Sequence, residues 1–174
     1  VFTGLEKEMG NVKKIVLSYA MPSFRKLASM WKVYLHSSLL GAVIGVLPGA
    51  GATVASFICY NEVKRFAKNK DEFGKGALEG VAAPEAGNNA VVGGSLVPLL
   101  TLGIPGSATA AVLVGALMLH NIQPGPLLFQ TNGDIVYGIF AGLIVACVAQ
   151  LVFGLIGVPL WVKVISAPKP LLLS

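Results

Sequence analysis

The 174-residue chain has little charge: only 12% of its residues are Asp, Glu, Lys or Arg, against roughly 25% in soluble domains. Asp134 is the one charged residue between Ala86 and Val162. This scarcity excludes a disordered chain, a basic nucleic-acid-binding domain and an ordinary cytosolic globule. The net charge of +5 does not change that conclusion, because eleven of the thirteen Lys and Arg residues precede Gly76. We predict an integral membrane protein with a polar N-terminal third.

Enzyme motifs are also missing. The sequence has no Walker A loop, no His-Glu-x-x-His and no Cys-x-x-Cys. Gly49-Ala-Gly51 does not extend into a dinucleotide fingerprint, because Val54 stands where the third glycine belongs. The two cysteines, Cys59 and Cys147, lie in apolar runs and are interpreted as small core residues. We therefore predict a protein that is not an enzyme and holds no organic cofactor.

The first apolar run covers residues 33–60 and follows a polar segment, 1–32, that we expect at the membrane surface. Leu47-Pro-Gly-Ala-Gly51 interrupts the run near its middle, where proline removes a backbone donor and glycine permits tight turns. Basic residues flank both ends, and the positive-inside rule places both on the cytoplasmic side. This pattern predicts a re-entrant helical hairpin with halves 33–47 and 51–60 and its tip at Pro48–Gly51.

A basic loop and polar helix entry, residues 61–89, lead to a second apolar run, Ala90–Leu119. Ile104-Pro-Gly-Ser107 interrupts this run near its centre. Residues 120–134 contain no Lys or Arg and are expected on the external side of the membrane. We therefore predict that the segment 90–134 forms a discontinuous transmembrane helix followed by an external loop.

The third run, Ile135–Val162, predicts a long transmembrane helix within the segment 135–174. Gly138 and Gly142 favour close helix packing. Asp134 is a candidate N-cap for this helix.

The two interrupted segments are where binding chemistry is expected. A backbone break at membrane depth is tolerated where it lines a polar cavity. A half-helix that begins there directs free N–H groups and the positive end of its dipole at an anion, while nearby carbonyls bind a cation. Thr53 and Ser56 follow the first tip, and Ser107 and Thr109 lie at the second. Their hydroxyls can donate a hydrogen bond to an anion, and their oxygens can coordinate a cation.

Each of these features also has a simpler explanation. The simpler explanation of the two breaks is a pair of kinks whose backbone groups are satisfied by neighbours. Packing is the favoured reading of the Gly41, Gly45 and Gly49 spacing. Asn88 and Asn89 are candidate caps for the second half-helix. Glu85 is a candidate for pairing with a basic group at the interface.

Several motifs together carry a family resemblance. They are Gly45-Val-Leu-Pro-Gly-Ala-Gly-Ala52, Phe73-Gly-Lys-Gly-Ala-Leu-Glu-Gly-Val81, Ala83-Pro-Glu-Ala-Gly-Asn-Asn-Ala90, Leu99-Leu-Thr-Leu-Gly-Ile-Pro-Gly-Ser107 and Gln123-Pro-Gly-Pro126. In combination, this set resembles the large membrane subunit of the tripartite tricarboxylate transporters, the TctA family. The resemblance is dense from Leu39 to Leu128 and weaker beyond. It implies that the chain is a fragment of a longer subunit.

The resemblance implies an all-α integral membrane fold that forms half of an inverted-repeat secondary transporter. The implied activity is ion-coupled import of tricarboxylates or related dicarboxylates across the bacterial inner membrane, driven by Na⁺ or H⁺. The implied partners are a small membrane subunit and a periplasmic solute-binding protein. Binding roles are expected, from the resemblance and from the tips, at Pro48, Gly49, Ala50, Gly51, Thr53, Asn88, Asn89, Pro105, Gly106, Ser107 and Thr109. A coupling cation is expected near Asn88, Ser107 and Thr109.

Two other functions stay open at this point. The first is a membrane scaffold or assembly subunit that does not transport and whose glycine-rich helices pack against partners. The second is a passive anion channel, which would show flux without ion coupling.

Overall fold

The computed structural model describes residues 22–165, with side chains described through residue 157. Every regular element in this range is helical, which confirms the predicted all-α class. In chain order these are α1 (Phe24–Ser29), α2 (Trp31–Val46), α3 (Gly51–Phe66), a 3-10 turn (Lys70–Glu72), α4 (Glu79–Leu102), α5 (Ala108–Leu119), α6 (Leu128–Thr131) and α7 (Gly133–Ile165). The polar segment before residue 22 and the tail after residue 165 lie outside the described residues.

Helices α2 and α3 form the predicted hairpin around a turn at residues 47–50. The Cys59 thiol donates to the Ser37 carbonyl at 3.5 Å. These two residues are about equally distant from the turn, so the helices run antiparallel. Gly49 and Gly51 adopt φ of +82° and +70° at the tip, a region that favours glycine. The hairpin is therefore confirmed as a fold, and its re-entrant placement in a bilayer stays a prediction.

Helix α4 packs against both arms of the hairpin through glycines. A Cβ on Gly41 would collide with the Gly87 carbonyl, and one on Gly94 would collide with the Ala42 carbonyl. Gly87 faces the buried Cys59 side chain in the same way. These glycines permit backbone approach that no larger residue allows. The packing interpretation holds for Gly41, and Cys59 is a core residue as predicted.

Helix α4 begins at Glu79, well before the apolar run predicted from Ala90. It contains two prolines, Pro84 and Pro98, in its interior. It ends at Leu102, and Gly103 forms a left-handed C-cap with a φ of +71° and an N–H that donates to the Leu99 carbonyl. The predicted break follows, and the second half-helix, α5, begins at Ala108. The break between two helices lies where it was predicted, with a longer first half, and its placement across a membrane stays a prediction.

A second core joins α4, α5 and the start of α7. Its buried side chains are Leu96, Leu99, Leu100, Ala110, Leu117, Ile122, Leu128 and Val136. The loop after α5 returns to α4, because the Gly125 N–H donates to the Leu100 carbonyl at 3.1 Å. The turn at residues 124–126 therefore covers the C-terminal end of α4.

Helix α7 confirms the predicted long apolar helix. Its residues Gly133–Gly157 are the one stretch, among those described, that is long and apolar enough to cross a membrane. Asp134 lies inside its first turn, so it is not the N-cap residue itself. Gly138 and Gly142 have open space around them in the described structure. Cys147 is exposed on this helix, so its predicted core position is wrong for the described part of the chain.

Candidate functional site

The structure brings the two Pro-Gly tips into direct contact. The Gly49 N–H at the hairpin tip donates to the Gly106 carbonyl in the break of the second segment, at 3.2 Å. Gly106 is buried, and a Cβ placed on it would lie 3.4 Å from both the Gly45 carbonyl oxygen and the Ser95 Cβ. Residues 57 positions apart thus form one surface made largely of backbone atoms.

Two helix N-termini lie at this contact. Helix α5 is capped by Ser107, whose hydroxyl accepts from the Ala110 N–H at 3.1 Å. The same hydroxyl lies 3.0 Å from the Thr109 hydroxyl. Helix α3 begins at Gly51 without a side-chain cap. The positive ends of two helix dipoles and the first-turn N–H groups of α3 are therefore close to the joined tips.

The remaining predicted tip residues lie around the same contact. Pro48 and Ala50 form the hairpin turn beside Gly49, and Pro105 directly precedes Gly106. Pro48, Thr53 and Pro105 are exposed, whereas Ala50 is half-buried. The tips are thus accessible from one side and supported by Gly106 on the other.

Asn88 and Asn89 are not brought to the tips. Both are exposed and lie about ten residues inside α4, so neither caps a helix. Seven residues, about two helical turns or 10 Å, separate Asn88 from Ser95, the α4 residue beside Gly106. Ser56 is also engaged elsewhere, since its hydroxyl donates to the Pro84 carbonyl at 3.3 Å. The structure therefore joins Ser107 and Thr109 but leaves Asn88 apart from them.

Two residues at the site were not predicted. Gly45 and Ser95 flank Gly106, and the buried Ser95 hydroxyl donates to the Val92 carbonyl at 2.9 Å. The run of small residues at 93–95 was the available signal, since small residues allow another backbone to approach a helix.

The tips carry no formal charge. Among the described residues, no group of three or more His, Cys, Asp or Glu side chains is arranged to hold a metal. The polar groups on offer are backbone N–H and carbonyl groups and the hydroxyls of Ser107 and Thr109. N–H groups and hydroxyls suit a carboxylate, and carbonyl and hydroxyl oxygens suit a hard cation such as Na⁺.

Comparison with known proteins identifies the family of the chain. Residues 2–174 match the family model described as the tripartite tricarboxylate transporter TctA family. No solved structure matches the chain.

Two proteins of Agrobacterium vitis are similar in sequence. One is named as an uncharacterized 52.8 kDa protein in the TAR-I ttuC' 3' region, and it is 36% identical over 167 residues. That alignment covers 96% of this chain and 33% of the relative. The other, in the TAR-II ttuC' 3' region, is 42% identical over 132 residues, or 76% of this chain and 54% of the relative. The chain thus spans one third to about half of these relatives, and its match to the family model is nearly complete: it belongs to the TctA family of tripartite tricarboxylate transporters.

Proposed function

We propose that this chain provides one part of the substrate site of an ion-coupled importer of tricarboxylates or related dicarboxylates. The observation that carries the proposal is the contact between the two tips, at the Gly49 N–H and the Gly106 carbonyl. Two backbone breaks that meet in an apolar protein supply polar groups where side chains supply none. Family membership supports transport as the activity and carboxylates as the substrate class.

The substrate carboxylate is proposed to bind at the N-terminus of α3, near Gly49 and Gly51. That terminus has no side-chain cap, so its first N–H groups are available to an anion. Thr53 lies in the same first turn and exposes its hydroxyl. A negative charge at a helix N-terminus is stabilised by about 0.3–1 kcal/mol at an exposed position and by more where water is excluded.

The coupling cation, Na⁺ or H⁺, is proposed to act near Ser107 and Thr109. Their two hydroxyl oxygens are 3.0 Å apart, a spacing at which both can contact one cation. The Gly106 carbonyl precedes them directly, although it already accepts from Gly49. A cation bound there would compete with the Gly49 N–H for the Gly106 carbonyl. Occupancy of the cation site would therefore be coupled to the contact between the tips.

The transporter is proposed to act in a bacterial inner membrane as a multi-pass subunit. A small membrane subunit and a periplasmic solute-binding protein are its proposed partners, since the family is that of tripartite transporters. The rest of the parent subunit would complete the substrate site, as in other transporters built from inverted repeats.

The test compares two glycines with the same backbone strain. Gly49 and Gly74 have φ of +82° and +83°, and an added Cβ meets nothing within 4 Å at either position. Alanine therefore costs a similar amount at both, about 1–2 kcal/mol, but only Gly49 lies at the tips. We expect Gly49→Ala to reduce Na⁺-dependent uptake of radiolabelled citrate by about tenfold, and Gly74→Ala to leave it near wild type. The measurement uses proteoliposomes that contain the complete parent complex, with and without a Na⁺ gradient.

Three outcomes would contradict parts of this proposal. Equal uptake by the two variants would show that the tips are not part of the substrate site. Citrate flux that ignores imposed Na⁺ and H⁺ gradients would favour the passive channel. An absence of uptake for a panel of di- and tricarboxylates, with the complex intact, would favour the scaffold function.

A further inference from the structure

A cavity among the described residues lies at the opposite end of the hairpin from the tips. Its volume is about 680 Å³, and it opens where α2 begins, α3 ends and α4 begins. The basic loop of residues 61–75 forms one side of it. A loop rich in Lys and Arg is expected in water beside the membrane surface. We therefore infer that the cavity lies at the level of the lipid headgroups.

The cavity is lined by charges of both signs. Lys32 and Lys68 contribute two positive groups, and Glu72 and Glu79 contribute two negative groups. The ion pair among the described side chains is Glu62 with Arg65 at 3.7 Å, so none of the four is paired with an opposite charge. Glu72 accepts one hydrogen bond, from the Asn69 side-chain amide at 3.0 Å, and its carboxylate keeps further acceptor capacity. Opposite charges that share a cavity without touching leave room for a ligand between them.

Apolar side chains form most of the remaining lining, together with the polar residues His36 and Asn69. Val33 and Phe66 line the cavity, and the Phe66 ring is mostly exposed. An apolar wall beside a set of charges matches a molecule with a polar head and a hydrocarbon body.

We propose that this cavity binds a zwitterionic phospholipid with a primary ammonium group, the chemistry of phosphatidylethanolamine. Lys32 and Lys68 contact its phosphate, Glu72 and Glu79 accept from its ammonium, and Phe66 packs against its glycerol and acyl region. The four charges that line the cavity sum to zero, so the lining itself gives an anionic lipid no net attraction. A choline headgroup has the same charge but no N–H donor for the carboxylates.

The experiment measures which lipid the purified full-length parent subunit retains. The protein is equilibrated in detergent with equal amounts of phosphatidylethanolamine, phosphatidylcholine and phosphatidylglycerol, and bound lipid is counted by native mass spectrometry. We expect phosphatidylethanolamine to exceed phosphatidylcholine about tenfold, the effect of a charge-assisted hydrogen bond. The double variant Glu72→Gln and Glu79→Gln should bring that ratio near one.

Neighbouring residues supply matched controls. Asp71 lies next to Glu72 in sequence and Lys70 lies two residues after Lys68, and neither Asp71 nor Lys70 lines the cavity. Asp71→Asn and Lys70→Gln should keep the wild-type lipid ratio, whereas Lys68→Gln should lower retention of both zwitterionic lipids. If the double variant does not elute as a single species, Glu72→Gln alone is used, because this exposed side chain contributes no core packing.

Four results would overturn the proposal. They are a wild-type ratio near one, a preference for phosphatidylglycerol, an Asp71→Asn effect equal to that of Glu72→Gln, and displacement of the lipid by glycerophosphoethanolamine at equal concentration. The last would assign the cavity to a soluble zwitterion, because that compound has the headgroup without acyl chains. None of these results depends on transport activity.

Discussion

The hairpin with α4 and the long helix α7 bury their surfaces in different ways. In the hairpin unit, Ala55, Cys59 and Ala83 are completely buried, and glycines bring backbones into contact. In α7, the apolar side chains Leu151 and Ile156 are 64% and 69% exposed. Small residues drive helix association in lipid, where large apolar side chains gain little by leaving hydrocarbon. The hairpin and α4 thus form a compact unit that holds the tips, whereas the apolar face of α7 is exposed in the described structure.

Truncation of leucines should give the largest difference between these regions. Leu99 is completely buried in the core between α4, α5 and α7, so Leu99→Ala should destabilise the protein by about 2–5 kcal/mol. Leu151→Ala on α7 should cost less than about 1 kcal/mol, because its side chain is exposed. Thermal unfolding of the full parent subunit in detergent measures both. An equal cost would mean that the rest of the parent subunit covers this face of α7.

Two adjacent glycines in α4 test whether backbone contact holds the hairpin unit. Gly94 faces the Ala42 carbonyl, whereas Gly93 has open space around it. Gly94→Ala should destabilise by about 1–3 kcal/mol, since the carbonyl cannot rotate away. Gly93→Ala should be neutral or stabilising by up to about 1 kcal/mol, because alanine is the better helix former. The same unfolding measurement applies, and similar midpoints for the two variants would refute glycine-mediated packing.

The surface of the basic loop should show the smallest effect. Arg65 and Glu62 form an ion pair at 3.7 Å, with the Arg65 side chain 72% exposed. Exposed pairs of this kind contribute about 0–1 kcal/mol. Arg65→Gln should therefore move the unfolding midpoint by no more than the measurement error at 0.15 M salt or above. A clear shift would show that Arg65 has a partner outside the described residues.

The sequence was sufficient to predict the hairpin and the broken helix, because proline and glycine act locally at Pro48–Gly51 and Pro105–Gly106. It was also sufficient to identify the family. It misplaced the start of α4, since hydropathy marks where a run becomes apolar and not where helical hydrogen bonding begins. Glu79 to Asn89 is of mixed polarity and still helical.

Other features depended on three-dimensional packing. The positions of Gly45 and Ser95 beside Gly106 follow from how α2 and α4 cross, which no local pattern encodes. Asn88 and Asn89 had been grouped with the tips by motif, but the helical rise separates them. Cys59 and Cys147 have similar apolar neighbours in sequence, and only the packing of α3 against α4 makes one of them buried.

The hydrogen bond between Gly49 and Gly106 joins two main-chain groups. Every coded residue carries the carbonyl, and every one except proline carries the N–H. A mutational scan of side chains would therefore leave both donor and acceptor in place and would detect this contact only through changes in backbone shape. Proline at position 49 would remove the donor, but its φ near −65° is incompatible with the +82° of this turn. The donor and the acceptor of this hydrogen bond are thus nearly independent of sequence. Natural variation can alter only the backbone geometry that brings them together.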